Sequence, residues 1–302
     1  MTFSIHHSCR QVTVCDQKQL SLSAFLFMLL VVCFTPIQTV ASEATQCANA
    51  KNDSDPDTCE QWVNGNINHS KAIYFEGGAI PYRAVIDHTV IGHEYEITIG
   101  WDAVESDKNA LDYLVTYNHS VASADPCSDG SLCALSIPDS TAAIPADTRM
   151  QLGRDPDSSD DEFSQDSGEF TLWGGNIISV GEYNYPADLS YLGSHEITLT
   201  LRIKATASTV VLAWGGHMAS RLDWGNANGV VTLYGSSYHT RASGSVSGIQ
   251  GDLVLATSAV IFPSYVNVTK EADRATLDDF SFGTDGMAEG VAEDGSFSLK
   301  HD

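Results

Sequence analysis

Hydrophobic and polar residues alternate with a period of two along much of the chain. In Glu94–Trp101 the residues Tyr95, Ile97, Ile99 and Trp101 alternate with more polar neighbours, and Ile197, Leu199, Leu201 and Ile203 do the same in His195–Lys204. Successive side groups of a strand point to opposite faces, so both runs predict strands with one buried face. Further β-rich runs are AIPYRAVI from Ala79, LDYLVTY from Leu111, EFTLW from Glu169, IISVGEY from Ile177, TVVLAW from Thr209, GVVTLY from Gly229, LVLATSAVIF from Leu253 and YVNVTK from Tyr265. Between them lie clusters of Gly, Asn, Asp, Ser and Pro, which is turn chemistry. Many short strands, frequent turns and no intervening helical period predict an all-β fold: an antiparallel β-sandwich of jelly-roll or immunoglobulin-like type.

Two of these strands end alike, as FTLWGG reaching Gly175 and VLAWGG reaching Gly216. A tryptophan before two glycines predicts a bulky residue closing the core where the backbone bends sharply or accepts a close neighbour. Near Pro263 the pattern changes. YVNVTK, DFSF and FSLK form three short strands in the last stretch of the sequence, too few for an independent core. The expected division is a β-sandwich over 43–263, then the start of a second, truncated β-domain over 264–302.

At the other end, Ala24–Phe34 is apolar without interruption, preceded by Arg10 and Lys18 and followed by Pro36 and Thr39-Val40-Ala41-Ser42. This is the pattern of a signal peptide, and the run is shorter than the roughly 20 residues a membrane-spanning helix needs. Residues 1–42 are therefore expected to be removed near Ala41 or Ser42, leaving an extracellular or cell-surface protein without a membrane segment.

Charge narrows the partners. Lysine plus arginine total 15 against 39 for aspartate plus glutamate, a formal net charge of −24, which repels nucleic acid and anionic headgroups. Cysteine usage agrees with export. Outside the presumed signal remain Cys47, Cys59, Cys127 and Cys133, an even number in a protein bound for an oxidising compartment. Of the three possible pairings, Cys47 with Cys59 and Cys127 with Cys133 close short local loops. Zinc would call for paired ligands at closer spacing.

The candidate chemistry is sparse. The acidic loop from Asp155 to Glu169 is a place for calcium through oxygen ligands, but it lacks EF-hand spacing, and acidic loops are expected in so acidic a protein. His217 and Asp223 lie close in GGHMASRLDWG, and an aspartate can orient a histidine general base. No nucleophile motif accompanies them, and His69, His88, His93, His119, His195 and His239 are scattered singly. A polar turn at a strand end is the expected role of His217 and Asp223. A glycosidase would need two facing carboxylates, with Glu94, Glu96, Glu169, Glu182 and Glu196 as candidates. Sugar binding would draw on Trp101, Trp173, Trp214 and Trp224 as stacking platforms, although such positions usually belong to cores. Asn68-His69-Ser70, Asn118-His119-Ser120 and Asn267-Val268-Thr269 fit the glycosylation acceptor pattern.

The stretches IPYR at Ile80, ITIGWD at Ile97, ALDYLVTYN at Ala110, DPCSDGSLC at Asp125, FTLWGG at Phe170, VVLAWGGHMASRLDWG at Val210, SSYHTR at Ser236 and AVIFPS at Ala259 resemble a poorly characterised family of secreted bacterial β-proteins. Members of that family often continue into a prealbumin-like repeat of the pilin B-type, and YVNVTK with DFSF and FSLK is similar to the opening of such a repeat. In these repeats a first-strand lysine can form an isopeptide bond with a last-strand asparagine. Here the last strand is missing, so Lys270 is expected to carry a free amine. The resemblance implies a structural or adhesive module. The sequence reading is therefore an exported module without catalytic residues, cofactor or metal, facing an undefined surface protein or glycan. A carbohydrate-binding module is the alternative, and a jelly-roll glycoside hydrolase stands behind it.

Overall fold

The computed structural model describes residues 42–49, 58–128, 132–133, 137–147, 165–186, 193–245, 249–261, 264–268 and 297–301. Two seven-stranded sheets dominate them. Sheet A comprises β1 (Glu43–Ala48), β2 (Gln61–Val63), β5 (Ala79–Ile86), β8 (Leu111–Val115), β9 (Ser140–Ala143), β10 (Glu169–Trp173) and β13 (Val210–Met218). Its order is β2-β1-β5-β13-β10-β9, with β8 also on β13. Sheet B comprises β3 (Asn66–Ile67), β6 (Glu94–Glu105), β7 (Lys108–Asn109), β11 (Gly175–Val180), β12 (His195–Ala205), β14 (Ser237–Gly244) and β15 (Gln250–Ala256). Its order is β11-β12-β6-β14-β15-β3, with β7 on β6. Within both sheets every pair is antiparallel except β15 with β3, so the expected antiparallel β-sandwich is what the protein forms.

Alternation explains how the sheets meet. In β12 the residues Ile197, Leu199, Leu201 and Ile203 are buried while Glu196, Thr198, Thr200 and Arg202 are not. Those apolar residues join Ile97, Ile99, Trp101 and Leu253 of sheet B and Tyr82, Ile86, Phe170, Leu212 and Trp214 of sheet A in one core. Each such group gains about 1.5–3 kcal/mol on leaving water. Strands β5 and β13 differ, being buried along their whole length. Their second faces, with Val85, Val211 and Ala213, pack against Trp173 and Leu132 and are flanked by Tyr117, Cys127 and Cys133. Sheet A is thus covered on both sides, whereas sheet B turns a polar face outward.

The cysteines pair as the two local loops require: Cys47 with Cys59 and Cys127 with Cys133, with Cα atoms 5.6 and 5.5 Å apart. The second pair closes the cover over sheet A. Beside it Arg83, almost fully buried, donates to the Pro126 carbonyl at 2.8 Å and to Thr45 Oγ1 at 3.0 Å. Trp62 lies 4.7 Å above its guanidinium and donates its indole N–H to the Asp125 carbonyl at 2.9 Å.

The two Trp-Gly-Gly endings work differently. Gly174 sits at φ +74°, and a Cβ there would collide with the Thr209 carbonyl oxygen. This is the sharp bend by which the polypeptide leaves sheet A as β10 and enters sheet B as β11. After Trp214 the strand runs straight on through Gly215 and Gly216. There a Cβ on Gly215 would meet the Thr116 carbonyl at 2.7 Å, and one on Gly216 the Tyr82 ring at 2.9 Å.

Several expectations are corrected. Gly229–Tyr234 is no strand but carries a 3-10 turn at Val230–Thr232, held as Thr232 Oγ1 donates to the Gly229 and Ala227 carbonyls. The run from Leu253 breaks after Ala256 into a 3-10 turn at Thr257–Ala259 and β16 (Val260–Ile261), which pairs in parallel with β4 (Tyr74–Phe75). Strands β1 and β14 lay outside the expected set. Beyond the sandwich, β17 (Ser264–Val268) and β18 (Phe297–His301) pair antiparallel. The leader up to Ala41, Asp155–Ser164 of the acidic loop, Pro263, Lys270 and DFSF lie outside the described residues.

Candidate functional site: a buried histidine–aspartate cluster

Among the described residues, a group of ionisable side chains sits on the outer face of sheet A, where β13 meets β8. Gly216 pairs with Leu114 and His217 with Tyr113, but Met218 pairs with Leu111, so Asp112 is the extra residue of a β-bulge. Bulges re-aim side groups, and this one directs the Asp112 carboxylate onto His217. Nδ1 of His217 lies 2.7 Å from Asp112 Oδ1, with the two side chains 6% and 0% exposed. The other carboxylate oxygen accepts from Trp224 Nε1 at 3.0 Å. Tyr113 stacks on the imidazole at 4.2 Å, and His119 meets it edge-on at 6.3 Å.

Burial pulls the His217 pKa down. The charge and hydrogen bond of Asp112, the charge of Asp223 and a backbone hydrogen bond to Gly77 outweigh it, leaving the pKa raised. Because the Gly77 N–H is already given to the Met218 carbonyl, the ring's partner at Gly77 is the carbonyl. Acceptors on both ring nitrogens favour the protonated imidazole. Burial, with the charges of Asp112 and Asp166, likewise holds the Tyr113 phenol above its ordinary value.

Two further clasps flank this pair. Arg221–Trp224 forms one helical turn, capped by Ser220, whose Oγ accepts from Asp223 N–H at 3.1 Å and donates to Asp223 Oδ2 at 2.6 Å. Glu76 accepts from the Arg221 backbone N–H and, at 3.2 Å, from its Nε. Burial raises the Glu76 pKa against the lowering effect of Arg221. On the other side, His119 Nδ1 lies 3.1 Å from Ser120 Oγ and its Nε2 3.1 Å from Asp166 Oδ2.

Ser120, His119 and Asp166 thus stand in the order of a serine–histidine–aspartate relay. Ser120 Oγ accepts from Ala79 N–H at 2.8 Å. The neighbouring N–H groups of Gly77 and Gly78 go to the carbonyls of Met218 and Phe75. The backbone donors of Gly77, Gly78 and Ala79 are therefore all engaged within the fold. The relay ties the β8 loop to the start of β5.

Asp223 lies in the polar turn expected after this strand, whereas His217 belongs to β13 itself and is held by Asp112. Sequence reasoning passed over Asp112 and Glu76, and it read His119 as a scattered histidine, Ser120 as part of a glycosylation acceptor pattern and Asp166 as part of the acidic loop. One signal was present, an aspartate within the apolar run LDYLV, since a buried carboxylate needs a partner.

The remaining candidates scatter. Glu94 pairs with Arg202 at 2.5 Å, while Asp102 and Glu196 both reach Arg241 Nη1, with Asp252 at 3.4 Å from Nε, on the outer face of sheet B. Arg241 thus bridges Asp102, Glu196 and Asp252 on that face. Trp101, Trp173, Trp214 and Trp224 are all at most 3% exposed, which removes them as stacking platforms. Among the described residues, no three His, Cys, Asp or Glu residues are grouped to hold a metal ion, and no helix is long and apolar enough to cross a membrane. Comparison with known proteins returns no match among family models, curated proteins or solved structures.

Proposed function

We propose that the protein is an exported structural or adhesive β-module, of the kind its motifs resemble. The observation that carries this reading is that the polar cluster spends its donors and acceptors inside the fold. Both oxygens of Asp112 are engaged, by His217 and Trp224, and Ser120 Oγ contacts Ala79 N–H and His119. Two cysteine pairs at bonding distance fit an oxidising environment. The outer face of sheet B, with Thr98, Thr200, Glu196, Arg241 and Asp252, is polar and carries both charge signs, and it is the face this reading offers to a partner.

The test is protease shaving of intact producing cells, together with adhesion of beads coated with the folded protein. The expected result is surface cleavage, unreactive cysteines and saturable adhesion weakened by Arg241→Glu. A protease-protected cytosolic pool with Cys47, Cys59, Cys127 and Cys133 reactive to alkylation contradicts the reading.

A further inference from the structure

The sequence contains two Asn-Gly dipeptides, Asn64-Gly65 and Asn228-Gly229. Glycine has no Cβ to shield its backbone nitrogen and rotates freely about φ, so at such a dipeptide the backbone can reach the asparagine amide. The two stand in opposite surroundings. Asn64 is exposed in the turn between β2 and β3. Gly65 beside it has φ +90°, with nothing within 4 Å of the place a Cβ would take.

Asn228 is pinned by three hydrogen bonds. Its Nδ2 donates to the Trp224 carbonyl at 3.2 Å, its N–H to the Gly225 carbonyl at 3.0 Å, and its carbonyl accepts from Asn109 N–H at 3.1 Å. Gly229 is packed so closely that a Cβ would lie 2.6 Å from Arg221 Cγ and 2.9 Å from Glu76 Oε1.

We infer that Asn64 is a site of spontaneous deamidation in the folded protein, and that Asn228 is protected. The Gly65 backbone nitrogen attacks Cγ of Asn64, forming a C–N bond; the bond from Cγ to Nδ2 breaks, and ammonia leaves carrying the proton that the attacking nitrogen gave up. The product is a five-membered succinimide. Solvent water then opens it at either carbonyl to aspartate or isoaspartate, for a net gain of about 1 Da and one negative charge.

The turn is tied to the sandwich. The Gly65 carbonyl accepts from Gln46 Nε2 at 2.5 Å, and the same nitrogen donates to the Val254 carbonyl at 2.9 Å, joining β1 of sheet A to β15 of sheet B. Isoaspartate at position 64 lengthens the backbone by one carbon and moves that carbonyl away from Gln46. Deamidation at Asn64 therefore loosens a sheet-to-sheet tie as the protein ages.

The experiment ages the full-length protein, disulfides intact, in mildly alkaline buffer and follows both sites by peptide mapping, natively and in denaturant. The native protein is expected to convert Asn64 at least about tenfold faster than Asn228, with the rates converging in denaturant, since structure protects only the second. The isoaspartate fraction is expected to melt below the unmodified protein, and Asn64→Gln to hold its Tm over the same period. Native conversion of Asn228 at the rate of Asn64, or an Asn64 that reacts only in denaturant, overturns the assignment. An isoaspartate form that melts with the unmodified protein overturns the link to the Gln46 tie.

Discussion

At the scale of single residues, Asp112 is the most exacting position in the molecule. Its carboxylate is fully buried and shared between the His217 ring and an indole N–H. Removing one partner of a buried pair leaves the other charge uncompensated, a loss of roughly 3–5 kcal/mol. Asp112→Ala is accordingly expected to lower the unfolding free energy in urea by that amount, and a change below about 1 kcal/mol would contradict the assigned pairing. The pH dependence follows from His217. Its folded pKa lies above the ordinary 6.5, so the stabilisation is fully present below that value and is lost as pH rises through the folded pKa. Stability should decline from neutrality upward, and His217→Gln should remove that slope; equal slopes in both proteins count against the charged ring. Gly174 is demanding for steric reasons. A methyl group at φ +74° and driven into the Thr209 carbonyl is expected to cost at least about 2 kcal/mol in Gly174→Ala. The Trp-Gly-Gly ending at 173–175 announced such a bend. The partnership of Asp112 with His217 was not legible, because it spans 105 residues and depends on a bulge.

At the scale of elements, alternation identified the strands that bury one face, such as β6 and β12, and the unbroken run TVVLAW matched a strand buried on both. It failed where polar side groups override pattern. The run GVVTLY reads as a strand, but the Thr232 hydroxyl bonds back to the Gly229 and Ala227 carbonyls and winds it into a turn. Conversely, EATQCA lacks large apolar residues and gave no signal, yet as β1 it pairs with both β2 and β5. The cover over sheet A depends on its cross-link. Closing a short loop restricts the unfolded polypeptide by about 2–3 kcal/mol. The double substitution Cys127→Ser with Cys133→Ser is expected to lower stability by about that much. It should also raise binding of an apolar dye, because Val85, Val211, Ala213 and Trp173 lie beneath. Unchanged dye binding would mean that the cover closes without the disulfide.

At the scale of the whole molecule, a net charge of −24 is spread over a fold with few cations. Like charges repel within a screening length of about 10 Å at 0.1 M salt. The urea midpoint is expected to rise from low to moderate ionic strength; a midpoint independent of salt would show that the acidic groups are locally neutralised throughout. Fold class was readable because it depends on a repeating pattern. The order of strands across each sheet was not, since the same alternation serves any neighbour. In the proposed reading the outer-face cluster, which has the composition of a reactive site, serves to hold one element to another through its hydrogen bonds. Treatment of the folded protein with a fluorophosphonate, read by intact mass, tests this most directly. The expected result is an unmodified protein. A stoichiometric adduct that disappears in Ser120→Ala would show that Ser120, His119 and Asp166 form a working nucleophile, and would contradict the structural role assigned to them.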